Sequence, residues 1–234
     1  DLTDPPQNRI IAEALELTIW FPGQEPLFED AVFRLKRNVR TALLGPNGSG
    51  KSVLLRRLVE QDPGIRSVPK AKYGFFRQEM ELVNPARTIL ENIRDVSCQS
   101  ETVDRSVLAR MGFYSQDVHK QASVLSGGEQ VKLSFAMLFV SDVNVLVLDE
   151  PTNFLDIPSL EAIEALLLDY EGTMLFVSHD RAFVEKLSRW WWRRSRRCRA
   201  QSPRASMNAT IASAAIRCCS SAEIDAGASP RCSP

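Results

Sequence analysis

The eight residues GPNGSGKS (45–52) constrain this chain more than anything else in it. They match G-x-x-x-x-G-K-[ST] in full: Gly45, Gly50, Lys51 and Ser52 hold the defining positions, with Pro46, Asn47, Gly48 and Ser49 between them. Glycines let successive backbone N–H groups wrap an anion. A Lys at that spacing reaches the β- and γ-phosphates of a nucleotide, and the hydroxyl after it ligates magnesium. The motif needs a strand before it and a helix after it. VRTALLG (39–45) reads as that strand, and KSVLLRRLVEQ (51–61), with apolar residues at helical spacing, as that helix. Motif and context together set aside a chance Gly-rich turn and point to an α/β fold.

The rest of the body agrees. ALELTIWF (14–21), PLFEDAVFRL (26–35) and AKYGFFRQ (71–78) read as strands, and residues 84–113 as a more polar helical stretch. NVLVLDE (144–150) and TMLFVSHD (173–180) are short apolar runs ending in polar residues. Such runs suit parallel strands buried on both faces, with chemistry at their carboxyl ends. PSLEAIEALLLDYEG, between them, starts with Pro and ends with Gly as a crossover helix does.

A buried strand thus delivers Asp149 to the magnesium shell, and Glu150 follows where a carboxylate can polarise an attacking water. The bland alternative for Glu150 is a salt bridge at a strand end. His179, ending a strand parallel to that of Asp149, is placed to meet a γ-phosphate, although a lone His is more often a structural residue. Gln78 has polar surface as its alternative. His119 reads as surface and Cys98 as a small buried apolar residue.

A second phosphate cradle follows. SVLSGGEQVKLS (123–134) sets a Ser and two glycines at the start of a predicted helix, where unpaired N–H groups and the helix dipole favour an anion. One nucleotide already has its phosphates held by residues 45–52. A second cradle is redundant unless it serves another nucleotide, so the expectation is that it faces outward and closes over the site of a partner module.

This set of motifs, in this order over residues 14–187, resembles the ATP-binding cassette (ABC) superfamily. Leu125, Ser126, Gly127, Gly128, Glu129 and Gln130 are similar to its signature motif, Gln78 to its Q-loop glutamine and His179 to its switch histidine. Trp20 or Phe21 is similar to the aromatic residue that stacks on adenine. The resemblance implies a P-loop NTPase with a mainly parallel central sheet, an antiparallel β lobe and a helical signature subdomain. It implies ATP and Mg²⁺ as cofactors, with Ser52, Gln78 and Asp149 as metal ligands and Glu150, His179 and Gln78 as catalytic residues. It also implies head-to-tail pairing with a second cassette, in the same parental chain or by homodimerisation. LVLDEPTNFLD (146–156) and the short stretch between Gln78 and the signature resemble the ABC-F branch, and PTNFLD together with DPPQN (4–8) suits the second cassette of such a chain. That branch lacks membrane segments and acts on ribosomes, in translation or in antibiotic resistance. A cytosolic subunit of a membrane transporter and a catalytically dead scaffold are the alternatives.

Composition divides the chain into a leader or linker (1–13), an ATPase domain (14–187) and a tail (188–234). Net charge is zero overall, but from Ser188 onward there are nine Arg, no Lys and two acids, a net of +7. Four of the five Cys lie in that tail, and the single Cys of the body suits a reducing, cytoplasmic setting. No apolar run reaches the length of a membrane span and no signal peptide is seen. The chain starts at Asp1, which suits a piece of a longer protein. After AFVEKLS the family pattern expects a further strand, and RWWWRRSRRCRA stands there instead. The tail reads as an RNA-binding segment, as a disordered low-complexity end, or as translation out of frame. The third fits best, because Trp has only the codon TGG and three in a row are a Val run read one nucleotide late.

Overall fold

The computed structural model describes residues 10–22, 26–77, 82–153 and 155–187. Residues 1–9 of the leader, Gln78 and the whole tail lie outside the described residues. Along the chain run β1 (Ile10–Ile19), β2 (Phe28–Lys36), β3 (Arg40–Ala42), α1 (Lys51–Val59), β4 (Arg66–Ser67) and β5 (Tyr73–Phe76). They are followed by α2 (Ile89–Val96), α3 (Glu101–Arg110), α4 (Gly127–Val140), β6 (Val145–Asp149), α5 (Ile157–Asp169) and β7 (Thr173–Val177). Residues 181–187 are helical again.

Among the described residues two sheets form: an antiparallel lobe in the order β2-β1-β4 and a parallel sheet in the order β3-β7-β6-β5. β1 corrects the expected domain boundary. It begins at Ile10, so residues 10–13, read as leader, belong to the lobe, with Ile11 and Ala12 buried. Its pairing with β2 shifts register three times. Each shift breaks the period-2 alternation by which a strand is recognised, which hid the strand's first turn of pairing from the sequence.

β6 and β7 explain the layering. Alternate residues of a strand point to opposite faces. Leu146, Leu148, Met174 and Phe176 join α2–α5 and the helix 181–187 in one core. Val145, Val147, Leu175 and Val177 join Leu54, Leu55 and Leu58 of α1 and the antiparallel lobe in another. The central sheet is therefore buried on both sides, as its continuous apolar runs predict. Phe135 of α4 is wholly buried and stacks on Phe76 of β5, ring centroids 4.3 Å apart. Phe135→Ala should lower unfolding stability by about 3–5 kcal/mol, measured by urea denaturation.

Arg40 is a buried cation on β3. Its Nη2 donates to the carbonyls of Leu167, Leu168 and Tyr170 at 2.8–3.0 Å. These carbonyls lie at the end of α5, where backbone acceptors lack intrahelical partners and a cation is favoured. The bond set ties the strand that feeds the phosphate loop to the helix behind it.

Two smaller expectations are corrected. Cys98 is exposed, not buried: its backbone N–H is anchored on the Val140 carbonyl just past α2, which leaves the side chain outside the core. The crossover helix α5 ends at Asp169 with Tyr170 as its C-cap, before Gly172. Gly172 is needed for close approach instead, since a Cβ there would lie 2.4 Å from the Tyr170 hydroxyl.

Candidate functional site

In the parallel sheet β3, β7 and β6 are neighbours, with Ala42 opposite Phe176, Leu148 opposite Phe176 and Asp149 opposite Val177. Their carboxyl ends therefore open side by side, the place where open α/β sheets bind ligands. The segments leaving those three ends carry residues 45–52, Asp149–Glu150 and Ser178–His179.

The phosphate loop closes with Gly50 as N-cap of α1, at φ 84°. Only glycine holds that backbone without strain. A Cβ there would also lie 2.5 Å from Leu27, so the turn between β1 and β2 packs directly on the loop. Trp20 and Phe21, exposed at 61% and 40%, stand at the start of that turn. Lys51 Nζ donates to the carbonyls of Gly45 and Pro46 at 3.0 and 2.8 Å, holding the ammonium over the loop. Ser52 is exposed.

Past β6, Asp149 Oδ1 and Glu150 Oε1 are buried with no hydrogen-bond partner among the described residues. A buried carboxylate oxygen without a donor is costly unless a cation or water meets it. A hard cation such as magnesium would suit a carboxylate oxygen of this kind. Glu150 takes a left-handed backbone, φ 48°, and its N–H bonds the Val177 carbonyl. Its Oε2 accepts from the His179 N–H at 3.3 Å, while His179 Nε2 comes within 3.2 Å of Oε1 without hydrogen-bond alignment. Asp180 caps the next helix through the N–H groups of Ala182 and Phe183. A cavity of about 300 Å³ spans Gly45, Lys51, Ser178 and His179, with Arg181 and Glu185 on its wall. Neither of the last two belongs to a motif, and the sequence carried no sign of them.

Leu125–Gln130 are not part of this cluster. Ser126 is the N-cap of α4, and the helix lies on the sheet face opposite α1. Ser126 and Gly127 are exposed, and a Cβ on Gly128 would sit 3.8 Å from Ser159 Oγ at the start of α5. A capping box closes the turn: the Ser126 hydroxyl and N–H both donate to Glu129 Oε2, and the Glu129 N–H returns to Ser126 Oγ. The backbone N–H and then the hydroxyl of Ser126 hold the Glu129 carboxyl below its ordinary value of 4.5. The resulting stability is therefore present above that ordinary value and is lost as pH falls through the lower, folded one. Glu129→Ala should cost about 1 kcal/mol in urea unfolding at neutral pH. Glu129→Gln keeps an acceptor and should flatten this part of the acid dependence.

Among the described residues no three His, Cys, Asp or Glu gather as a metal cluster, and no helix is long and apolar enough to cross a membrane.

Fold and site together define a nucleotide-binding cassette: a phosphate loop, two carboxylates and a His at adjacent strand ends, with the capped start of α4 on the sheet face opposite α1. The family model described as ABC transporter matches residues 28–153, and the chain belongs to that family. Similar proteins include the erythromycin resistance ATP-binding protein MsrA of Staphylococcus epidermidis, 37% identical over 80% of this chain and 39% of its own length. The ribosome protection protein VmlR of Bacillus subtilis is 35% identical over 70% of this chain and 30% of its own. ABC transporter F family member 5 of Arabidopsis thaliana is 34% identical over 69% and 24%. The chain spans about a third of the length of the curated relatives it matches. Among solved structures, the dimeric post-hydrolysis cassette MJ0796 bound to ADP and Pi shares the fold, with a TM-score of 0.62 and 20% identity over 75% of this chain and 91% of its own. ABC cassettes as a class are ATPases.

Proposed function

We propose that this chain is an ATP-hydrolysing cassette of ABC-F type, which pairs head to tail with a second cassette and couples ATP to action on the ribosome. The observation that carries the pairing is the placement of α1 and α4 on opposite faces of one sheet. Two phosphate-binding helix starts so separated suit two nucleotides. The ribosomal part rests on PTNFLD at 151–156 and on the relatives named for ribosome protection, erythromycin resistance and the F family.

Each residue then has a defined task. The N–H groups of residues 45–50 hold the phosphates. Lys51 exchanges the carbonyls of Gly45 and Pro46 for oxygens of the β- and γ-phosphates. Ser52, Asp149 and Gln78 hold magnesium, which neutralises phosphate charge. Glu150 orients the attacking water and His179 contacts the γ-phosphate, with Gln78 sensing it. Phe21 stacks on adenine. Ser126, Gly127 and Gly128, held by Leu125, Glu129 and Gln130, complete the partner's pocket. Such catalysis is positioning and charge stabilisation.

The test is co-sedimentation of this cassette, joined to its companion, with ribosomes and with membrane vesicles. ATP-dependent recovery with ribosomes is expected. Recovery with membranes alone assigns the chain to a transporter, the reading that the family description itself favours.

A further inference from the structure

Asn92, on α2, is a polar side chain only 1% exposed, and a buried amide is costly unless its donors and acceptor are met. Here one stretch of backbone meets them. Its Oδ1 accepts from the Asn84 N–H at 2.8 Å, and its Nδ2 donates to the Asn84 carbonyl at 3.0 Å. The side chain thus pairs with both backbone groups of one residue, as a neighbouring strand would. Nδ2 also donates to the Thr88 carbonyl at 2.9 Å and reaches that of Arg87 at 3.5 Å. Residues 84–87 are exposed, so little apolar burial fixes their path and hydrogen bonds must do it. Asn84 Oδ1 adds one more, accepting from the Ala86 N–H at 3.0 Å.

The stretch so held is itself a template. The Pro85 and Arg87 carbonyls accept from the Ser123 and Ala122 N–H groups at 3.0 and 2.8 Å. In return the Ile89 and Leu90 N–H groups, which begin α2 and have no partner inside it, donate to the Lys120 and Val118 carbonyls at 3.0 and 2.9 Å. Thr88 and Gln121 lie opposite each other as an antiparallel bridge. From there the bonds run on to the start of α4. The Leu125 N–H donates to the Ala122 carbonyl at 3.2 Å, and Gln130 Nε2 to the Leu125 carbonyl at 3.1 Å. The Gln130 N–H closes the series on the Ser126 carbonyl at 2.9 Å.

We infer that Asn92 is a positioning residue for the start of α4. Its amide sets the path of residues 84–88, these set residues 118–123, and those set where Ser126–Gly128 stand. The inference rests on the proposed pairing, in which Ser126–Gly128 meet a phosphate of the companion's nucleotide. Asn suits the task by its length and its two-sided amide. Asp lacks the donor, Gln carries the amide one methylene too far, and an apolar side chain leaves the Asn84 N–H and carbonyl without this partner.

The experiment compares Asn92→Leu and Asn92→Ser with the parent by amide hydrogen exchange, and by ATP-dependent pairing with the companion cassette in Glu150→Gln chains. Leu keeps the volume and removes every bond, whereas Ser keeps a hydroxyl and leaves room for a water. In Asn92→Leu the Ala122 and Ser123 N–H groups should exchange faster by about 10-fold or more. The Leu54 N–H of α1, bonded to Gly50 on the other face of the sheet, should keep its rate. Pairing should weaken by about 10-fold or more, the cost of roughly one misdirected bond to a charged group. Asn92→Ser should fall between the parent and Asn92→Leu in both measurements, and it supplies the comparison where Asn92→Leu does not fold. Ala122 and Ser123 exchanging at the parent rate overturns the inference, as does full pairing despite faster exchange, and each leaves the proposed function intact. A parent chain that does not pair in ATP overturns the proposed function, and the inference falls with it.

Discussion

Replacing Glu150 with Gln should lower ATP turnover by about 10²–10⁴-fold, the range for loss of a positioned general base. Glu150 sits directly after β6 with its side chain only 16% exposed, and Oε1 is left without a hydrogen bond in the site. Gln keeps the size, the left-handed backbone position and an oxygen to accept the His179 N–H, so the fold and nucleotide binding should survive. What is lost is the charge that draws a proton from water. The chain should then bind ATP, fail to hydrolyse it, and remain locked to its companion cassette. Phosphate release and size-exclusion chromatography in ATP read the two effects separately. Turnover equal to that of the parent would remove Glu150 from the chemistry and return it to a strand-end ion pair with His179.

Lys51→Ala should weaken ATP binding by about 100-fold or more. A charge-assisted hydrogen bond contributes roughly 1.5–3 kcal/mol, and the proposed role gives Lys51 contacts to two phosphates. The folded chain loses little, because the bonds of Nζ to Gly45 and Pro46 are exposed and have water as a substitute. Calorimetric titration with ATP should thus show a large loss of affinity, with a thermal midpoint close to that of the parent. Unaltered affinity would place the triphosphate elsewhere. Lys51→Arg is an informative companion, since a planar guanidinium cannot replace a compact ammonium inside a turn of glycines.

Much of this was legible because the chemistry is local. A phosphate loop is one contiguous stretch in which glycine spacing, lysine and hydroxyl are all determined by one ligand, so Gly45–Ser52 could be read without a fold. Ser126 with Glu129 and Thr88 with Glu91 form capping boxes three residues apart, equally local features that the sequence reading did not single out. Where geometry depends on two distant segments, the reading weakened. β1 was placed four residues late because its register shifts against β2 disrupt the alternation. β4, two residues long, has no pattern to detect and exists only because Ala12 and Glu13 offer it an edge. Cys98 was judged from residue type, whereas its exposure follows from where α2 ends against α4.

The amino-acid order alone determined that this protein is an α/β nucleotide-binding cassette with a phosphate loop at 45–52 and a second glycine-containing helix start at 126–128, because each is written in consecutive residues whose local backbone conformations create it. Only the tertiary structure decided that α1 and α4, which begin at these two stretches, lie on opposite faces of one sheet and that His179 stands against Glu150. It also decided that the loop's own strand lies last in the described sheet. Those relations follow from strand order and crossover hand, which arise when distant segments pack together and are encoded in no short stretch of the chain.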